Sequence, residues 1–299
     1  MNSSRRASLF TLSTLILVSG LCAQSATPAA TPKPQAPKVE FPAASPAATL
    51  KQRVGLTDIE IVYSRPSVKG RTVFGGLVAY GEVWRTGANN ATRVTFSTPV
   101  KFGGTEVPAG AYGLFSIPGA TEWTVILNKA PGQWGAYKYD EAQDVVRVKV
   151  KPVTLAEPVE TFTIDVNDIR DESATLNLVW QKTRVPVKVE FDITATVVAQ
   201  IEAAMASDGE KKPYAQAATF YLDHNLDLTK ARTWMDAALA AQPDAFYYMY
   251  HKARILAKMG DKAAAIAAAK QSIELAAKAP GGAGAEYTRL NNELIASLK

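Results

Sequence analysis

The sequence predicts an antiparallel β-sandwich, of the jelly-roll or immunoglobulin-like type, followed by a domain of packed helices. Between residues 51 and 192, apolar and polar residues alternate, as they do from Val146 to Val150, and this pattern gives an antiparallel strand one apolar face. From residue 193 onward, alanine is abundant and the apolar residues recur with helical spacing. The length of 299 residues agrees with two domains of about 150 residues each.

Residues 1–23 have the organisation of a secretory signal peptide. Arg5 and Arg6 form a positively charged segment, and the apolar run from Leu9 to Leu21 is too short to cross a bilayer. Cleavage is expected after Ala23. The alternatives are an uncleaved anchor, a lipoprotein modified at Cys22, and twin-arginine export. We expect Sec export to the periplasm or the outside, and no transmembrane segment once the signal is removed.

Residues 24–50 are rich in Pro and Ala and predict a disordered linker. The prolines that recur in this segment are Pro28, Pro32, Pro34, Pro37, Pro42 and Pro46. Such a segment cannot bury a core or hold a helix, and it favours extended polyproline II conformations. It would act either as a spacer that holds the folded domains away from a surface or as a passive leader.

Residues 51–192 are predicted to form the β-sandwich domain. Alternating segments lie near 54–63, 92–98, 111–117, 122–128, 146–150, 162–166, 176–180 and 185–191. Glycine and proline pairs such as Gly103-Gly104 and Pro131-Gly132 separate several of these segments and predict turns. Many short strands without a helical interlude predict a sandwich or a barrel.

Residues 193–299 are predicted to form six helices and contain an internal repeat. The helices are expected at 196–207, 213–224, 228–241, 244–259, 262–278 and 286–298. Asp227–Ala231 aligns with Asp261–Ala265, and Leu239 aligns with Ile273, both at an offset of 34 residues. This offset is the tetratricopeptide period and predicts a tetratricopeptide-like domain. A helical bundle without repeats is the alternative, because only two units are visible.

The composition argues against several classes of protein. After removal of the signal peptide, 31 basic and 28 acidic residues remain, which is too balanced for a protein that binds nucleic acid. The single Cys and the two His, His224 and His251, exclude a disulfide framework and leave too few ligands for a cysteine- or histidine-based metal site. No phosphate-binding loop or dinucleotide-binding motif occurs. We therefore expect no cofactor and no metal.

Several long stretches of the β region carry a resemblance to a known family. They read IEIVYSRPSVKGRTVFG (59–75), YGEVWRTGANNATRVTFS (80–97), VPAGAYGLFSIPG (107–119), EWTVILNKAPGQWGAYKYDEAQDVVRVKV (122–150) and ESATLNLVWQKTRVPVKVEF (172–191). The region from about 51 to 192 resembles the bacterial domain of unknown function 2911. The resemblance implies an exported protein with this fold, and many members carry a helical tail. It implies no activity, so no catalytic residues are carried over.

A cationic cluster in loop-like sequence is the first candidate binding site. Its cations are Arg65, Lys69, Arg71, Arg85 and Arg93, and Arg85 is followed by a segment with Asn89 and Asn90 that suits backbone exposure. If the cations converge, they could hold a carboxylate, sulfate or phosphate group, because arginine binds such groups through two parallel hydrogen bonds. Alternatively, these charges are solvated separately or pair with acids such as Glu82 and Asp58 to fix the loops.

Aromatic residues in the same region are the second candidate. Trp84, Trp134 and Tyr137 could stack on a saccharide or a peptide. The alternative is that the loop carrying Trp134 and Tyr137 folds back and closes one end of the sandwich.

The helical region offers a third candidate site. Phe246, Tyr247 and Tyr250 lie within one predicted helix, where successive side chains point about 100° apart, so they cannot all face the core. We expect them to contact a protein partner, or alternatively to pack against the β domain.

The sequence carries no recognisable catalytic set. No Gly-x-Ser-x-Gly motif occurs, and both histidines lie in the helical region. We therefore predict a non-catalytic binding or scaffolding protein, in which the sandwich binds an anionic or saccharide ligand and the helices bind a protein partner. The alternatives are a cell-envelope enzyme acting on saccharide or peptide, and a purely structural module.

Overall fold

The computed structural model describes residues 40–209, 211–279 and 282–299. The predicted signal peptide, Cys22 and most of the predicted linker lie outside these residues. The chain divides into two units, Met1–Pro42 and Ala43–Lys299, and the strands and helices described here all belong to the second. Among the described residues, no helix is both long enough and apolar enough to cross a membrane.

The first part of the described chain is an antiparallel sandwich of two sheets. Its strands are β1 (Ala47–Val54), β2 (Thr57–Ser64), β3 (Thr92–Phe96), β4 (Val100–Phe102), β5 (Thr105–Val107), β6 (Gly110–Ile117), β7 (Trp123–Asn128), β8 (Asp144–Val150), β9 (Val153–Arg170) and β10 (Ser173–Glu190). One sheet has the order β1-β2-β3-β6-β7-β8, and the other has the order β5-β4-β10-β9. The predicted antiparallel sandwich is confirmed.

The core lies between the two sheets and follows the alternation in the sequence. In β2, the side chains of Ile59, Ile61 and Tyr63 are buried, while Asp58, near the start of the strand, faces solvent. Tyr63 meets Phe162 of the opposite sheet edge to face, with ring centroids 5.9 Å apart. Full burial of such side chains stabilises the fold by about 1.5–3 kcal/mol each.

Strand β1 begins inside the segment predicted to be a linker. It pairs along its whole length with β2, from Ala47 opposite Ser64 to Val54 opposite Thr57. As an edge strand it buries only one face partially, and Ala47, Ala48 and Lys51 give it a weak apolar pattern. The position of β1 in the sheet therefore depends more on its backbone hydrogen bonds to β2 than on the packing of its side chains.

The second part consists of six helices, as predicted. They are α1 (Thr194–Ala206), α2 (Tyr214–Asp223), α3 (Leu228–Ala241), α4 (Phe246–Lys258), α5 (Lys262–Ala276) and α6 (Ala283–Leu298). Asp227 and Asp261, 34 residues apart, each accept a hydrogen bond from a backbone N–H in the first turn of α3 and α5. Ala231, Ala253 and Ala265 are fully buried, which lets neighbouring helices approach closely.

The turn between β9 and β10 contacts the helices directly. The Thr194 hydroxyl at the start of α1 donates to the Glu172 carboxylate in this turn. Val197 and Phe220 pack against the sandwich core and also against the helical core. These contacts place one end of the sandwich against α1 and α2.

Candidate ligand-binding cavity

Loops at one end of the sandwich enclose a cavity of about 200 Å³. Its walls come from Pro66 and Arg71 and from the segments 77–78 and 84–88, with Ser45 before β1 and Trp180 from β10 completing the lining. The cavity brings together Arg71, Trp84 and Arg85, three of the residues predicted from sequence to bind a ligand. No carboxylate and no histidine is among its lining residues.

Two stacked indole rings form the aromatic side of the cavity. Trp84 and Trp180 have ring centroids 5.9 Å apart and planes inclined by 18°. The Trp84 indole Nε1 donates to the carbonyl oxygen of Gly87 at 3.0 Å, and Phe162 packs against Trp84 edge to face. Trp84 is 7 % exposed, so it belongs to the core and supports the loop that carries Arg85.

Arg85 carries a buried donor without an acceptor. Its Nε is buried and has no hydrogen-bond partner among the described residues. Neither Arg85 nor Arg71 forms an ion pair within that part of the chain. The Glu60 carboxylate of β2 forms its ion pairs with Lys51 and Arg93. Buried polar atoms in folded proteins are nearly always hydrogen-bonded. The Arg85 Nε is an exception to this rule, in a residue that lines the cavity.

Arg71 is held in place by its own loop. Its Nε donates to the Val68 carbonyl oxygen at 3.0 Å, and its Nη2 donates to the Ser67 carbonyl oxygen at 2.6 Å. These two bonds orient the guanidinium, while Nη1 has no acceptor among the described residues. A fixed cation with free donors at the cavity wall needs little ordering to bind an anion.

The loop beneath Arg85 has an unusual backbone. Thr86 and Gly87 have φ values of 51° and 149°. A Cβ at Gly87 would lie 3.0 Å from the Ser64 carbonyl oxygen, so glycine is the residue that this close approach favours. Gly87 and Ala88 are both buried, and both line the cavity beside Arg85.

The other predicted cationic and amide residues have different roles. Arg65 donates to the Phe162 carbonyl oxygen and the Thr163 hydroxyl, and so ties β2 to β9. Lys69 is exposed, and its backbone N–H donates to Glu160. Asn89 donates to the Ser45 carbonyl oxygen and the Ser64 hydroxyl, and Asn90 forms an isolated β-bridge with Trp134. The structure thus unites Arg71 and Arg85 but not Arg65 or Lys69.

The exposed aromatic residues lie outside the cavity. Trp134 and Tyr137 are 63 % and 84 % exposed. The Tyr137 ring covers Gly135, where a Cβ would come within 2.6 Å of it. Their loop is attached to the loop below Arg85 by the hydrogen bond from the Gly135 N–H to the Asn89 carbonyl oxygen.

All three helical aromatic residues predicted to bind a partner are half-buried and meet Tyr287 of α6. Phe246 and Tyr250 meet Tyr287 of α6 edge to face at 5.2 and 5.5 Å. Tyr247 also lines a groove between α2 and α4. Sequence reasoning missed Tyr287, since nothing local links it to α4.

The lining of the cavity comes entirely from one part of the chain. Residues 45–189 match the family model described as "Protein of unknown function (DUF2911)". This part of the chain belongs to the DUF2911 family. The DUF2911 region includes each lining residue from Ser45 to Trp180, and the six helices follow it. No curated protein and no solved structure matched the chain.

Proposed function

We propose that this protein is an exported, non-catalytic binding protein whose sandwich holds a small anionic ligand between Arg71 and Arg85. The observation that carries the proposal is that Arg71 and Arg85 line one cavity whose lining includes no acidic side chain. A carboxylate, sulfate or phosphate group fits this donor set, because planar guanidinium groups bind such oxygens through paired hydrogen bonds.

The charge of the cavity supports an anion over a neutral ligand. Two guanidinium groups share one small cavity, and no acidic side chain lines it. Like charges at close range repel each other, and an anion between them removes this repulsion. The stacked Trp84 and Trp180 rings exclude water on one side, which strengthens the electrostatic attraction.

The volume of the cavity limits what can enter it. Pockets for drug-sized ligands have volumes of about 300–1,000 Å³, and this cavity has about 200 Å³. We therefore expect the anionic group and its nearest atoms to be enclosed. The rest of the ligand would extend over the rim, where Leu77 is half exposed. The lining residues of this cavity include no carboxylate or histidine that could act as a general acid or base in catalysis.

The helical part would serve a protein partner in this proposal. The three residues predicted for that contact all pack against Tyr287, and Tyr247 also lines the groove between α2 and α4. The purely structural alternative predicts no ligand at either place.

The test is a thermal-shift and calorimetric screen of residues 24–299 against phosphate, sulfate, acetate and uronic acids. A ligand at about 100 times its Kd adds about 2.7 kcal/mol to the free energy of unfolding and raises the Tm. We expect Arg85→Gln and Arg71→Gln to weaken binding by about 10-fold or more, the effect of a lost charged hydrogen bond.

Arg184→Gln is the matched control, since its Nε is also buried without a partner but lies outside the cavity. It should keep the affinity of the original protein. Circular dichroism establishes that each variant is folded. If no anion shifts the Tm, or if binding survives both cavity substitutions, the proposal is wrong.

A further inference from the structure

Both histidines of the chain line one groove where the helices meet the β9–β10 turn. The groove has a volume of about 410 Å³, which is within the range of small-molecule sites. Much of its wall is formed by Phe220 of α2, by His224 directly after α2, by Tyr248 and His251 of α4, and by Asp171 of the turn. This groove is separate from the Arg71–Arg85 cavity, with which it shares no lining residue.

The two imidazoles present opposite hydrogen-bonding atoms. His224 Nδ1 lies 3.0 Å from the Phe220 carbonyl oxygen, which only accepts, so Nδ1 carries the proton and neutral His224 keeps a lone pair on Nε2. His251 Nδ1 lies 3.3 Å from the Arg254 guanidinium, which only donates, so the proton of neutral His251 is on Nε2. Burial, reinforced by Arg254, lowers the pKa of His251 and keeps it neutral at pH 7.

The groove carries negative charge and no lysine or arginine in its lining. The Asp171 carboxylate is exposed at its edge, and Asp223 lines it while forming an ion pair with Arg254 at 2.9 Å. The neighbouring Glu172 carboxylate lies 3.9 Å from His224 Nε2. Two carboxylates and the His224 imidazole therefore line one groove, and the Glu172 carboxylate lies beside His224.

Aromatic faces supply the rest of the lining. The Phe220 and His224 rings stack at 3.9 Å, and the Tyr247 and Tyr248 rings meet edge to face at 4.6 Å. The face of a phenyl or phenol ring is electron-rich and attracts organic cations, and its apolar area suits an alkyl stem. Carboxylates beside such faces are the combination that recognises an ammonium group.

The β9–β10 turn is held firmly enough to contribute to a site. A Cβ at Gly55 would lie 2.5 Å from the Asp171 carbonyl oxygen, so the β1–β2 turn packs closely against it. The Phe191 N–H donates to the Glu172 carbonyl oxygen at 2.9 Å. Asp171 is therefore positioned by the sandwich, while the aromatic walls come from the helices.

We propose that this groove binds a primary ammonium group on an apolar alkyl stem. The Asp171 carboxylate and the Nε2 lone pair of His224 accept from the ammonium, and Phe220, Tyr247 and Tyr248 contact the stem. A free diamine and a lysine side chain of a peptide share this chemistry.

The test uses the untagged chain of residues 24–299, whose two histidines give two imidazole signals in a proton NMR spectrum. The probes are 1,5-diaminopentane, an acetylated and amidated lysine tripeptide, and 1-pentanol as the uncharged stem. His251→Gln assigns the two signals. We expect both signals to shift with at least one amine and to shift little with pentanol at the same concentration. Binding by the diamine alone identifies a free amine, and tighter binding of the peptide identifies a lysine side chain.

Asp171→Asn should weaken amine binding by about 10-fold, because a charged hydrogen bond is lost. Asp168→Asn is the matched control: Asp168 is an exposed acid of the same segment at φ 52°, a conformation that asparagine also adopts. It should bind as the original chain does. Arg85→Gln should also leave amine binding unchanged, which separates this site from the anion cavity. The proposal is overturned if neither amine shifts the histidine signals, if pentanol binds equally well, or if Asp171→Asn has no effect.

Discussion

Trp84 and Trp180 stack nearly in parallel, with their planes inclined by 18° and their centroids 5.9 Å apart. Trp84 comes from a loop and Trp180 from the long strand β10, so the pair joins the loop at the end of the sandwich to the core. Because the Trp84 indole also donates to Gly87, it fixes the segment that carries Arg85. The aromatic core and the arginine cavity are therefore parts of one packing arrangement.

Removing the Trp84 ring should destabilise the protein strongly. Trp84→Ala should lower the free energy of unfolding by about 3–5 kcal/mol, because a buried indole is replaced by a cavity. Trp84→Phe should lower the free energy of unfolding by less, because phenylalanine retains aromatic contacts and loses only part of the ring and the hydrogen bond to Gly87. Urea unfolding measures both. Trp134→Ala, at a residue that is 63 % exposed, is the control and should change stability by less than about 0.5 kcal/mol. Equal effects of the two alanine substitutions would contradict the structure.

Gly55 should tolerate a side chain less well than Gly104 does. Both have positive φ, 54° and 86°, so alanine should be strained at either position by about 1–2 kcal/mol. At Gly55 a Cβ would also lie 2.5 Å from the Asp171 carbonyl oxygen, whereas at Gly104 it would meet nothing within 4 Å. Gly55→Ala should therefore cost at least about 1 kcal/mol more than Gly104→Ala. Paired urea titrations give this difference, and a difference of zero would rule out the close packing of the two turns.

The two aspartates 34 residues apart should each stabilise the helix that follows. Asp227 accepts from the N–H groups of Thr229 and Lys230, and Asp261 accepts from that of Ala264. Asp227→Ala and Asp261→Ala should each cost about 0.5–2 kcal/mol, the range for loss of an N-cap. Thermal unfolding followed by circular dichroism measures the loss. The matched control is Asp244→Ala, before a helix whose N-cap residue Ala245 makes no side-chain bond; it should have little effect.

His251 should make stability depend on pH below its ordinary pKa of 6.5. Burial lowers the pKa of His251 in the folded state, so between that value and 6.5 the unfolded chain binds a proton that the folded chain does not. The stability that His251 contributes is therefore complete above 6.5 and is lost as the pH falls toward the folded-state pKa. Arg254 lies beside the ring and reinforces the shift, while Asp223 opposes it.

The check is urea unfolding at about pH 7.5 and about pH 5.5. The original chain should lose more stability on acidification than His251→Gln, whose amide oxygen can still accept from Arg254. His224→Gln serves as the control, because it retains His251 and should retain its contribution to the pH dependence. If His251→Gln loses as much free energy of unfolding on acidification as the original chain, a lowered pKa of His251 is not the cause of the pH dependence.

Most of the fold follows from local patterns in the sequence. Period-two alternation predicts the core faces of β2, β8 and β10, and helical spacing with five breaks predicts the six helices that the structure contains. The repeat was visible because the Asp227 and Asp261 caps are chemical signals confined to one turn. Strand β1 was missed because an edge strand with alanines carries little periodicity. Its pairing with β2 depends on backbone bonds that any residues can make.

The candidate site was only half predictable. Arg65, Lys69, Arg71 and Arg85 were candidates because they are cations in loop-like sequence. Their positions in the sequence do not determine which of them lie close together in the fold. Arg65 is drawn to β9 by the Phe162 carbonyl and the Thr163 hydroxyl, whereas Arg71 and Arg85 share a cavity. Trp180, about a hundred residues away from both, completes that cavity because β10 runs beneath the loops.

By itself, the sequence determined the layout of β-sandwich followed by six helices, and the kinds of side chain available for binding. These properties depend on residues within a few positions of one another, where periodicity and capping act. Only the tertiary structure decided that Arg71 and Arg85 line one cavity, and that Asp171, His224 and His251 line one groove. Those arrangements arise because distant strands pair and because helices pack against the β9–β10 turn. The free energy that favours them comes from burying apolar surface between segments that are far apart in the sequence, which no local pattern identifies.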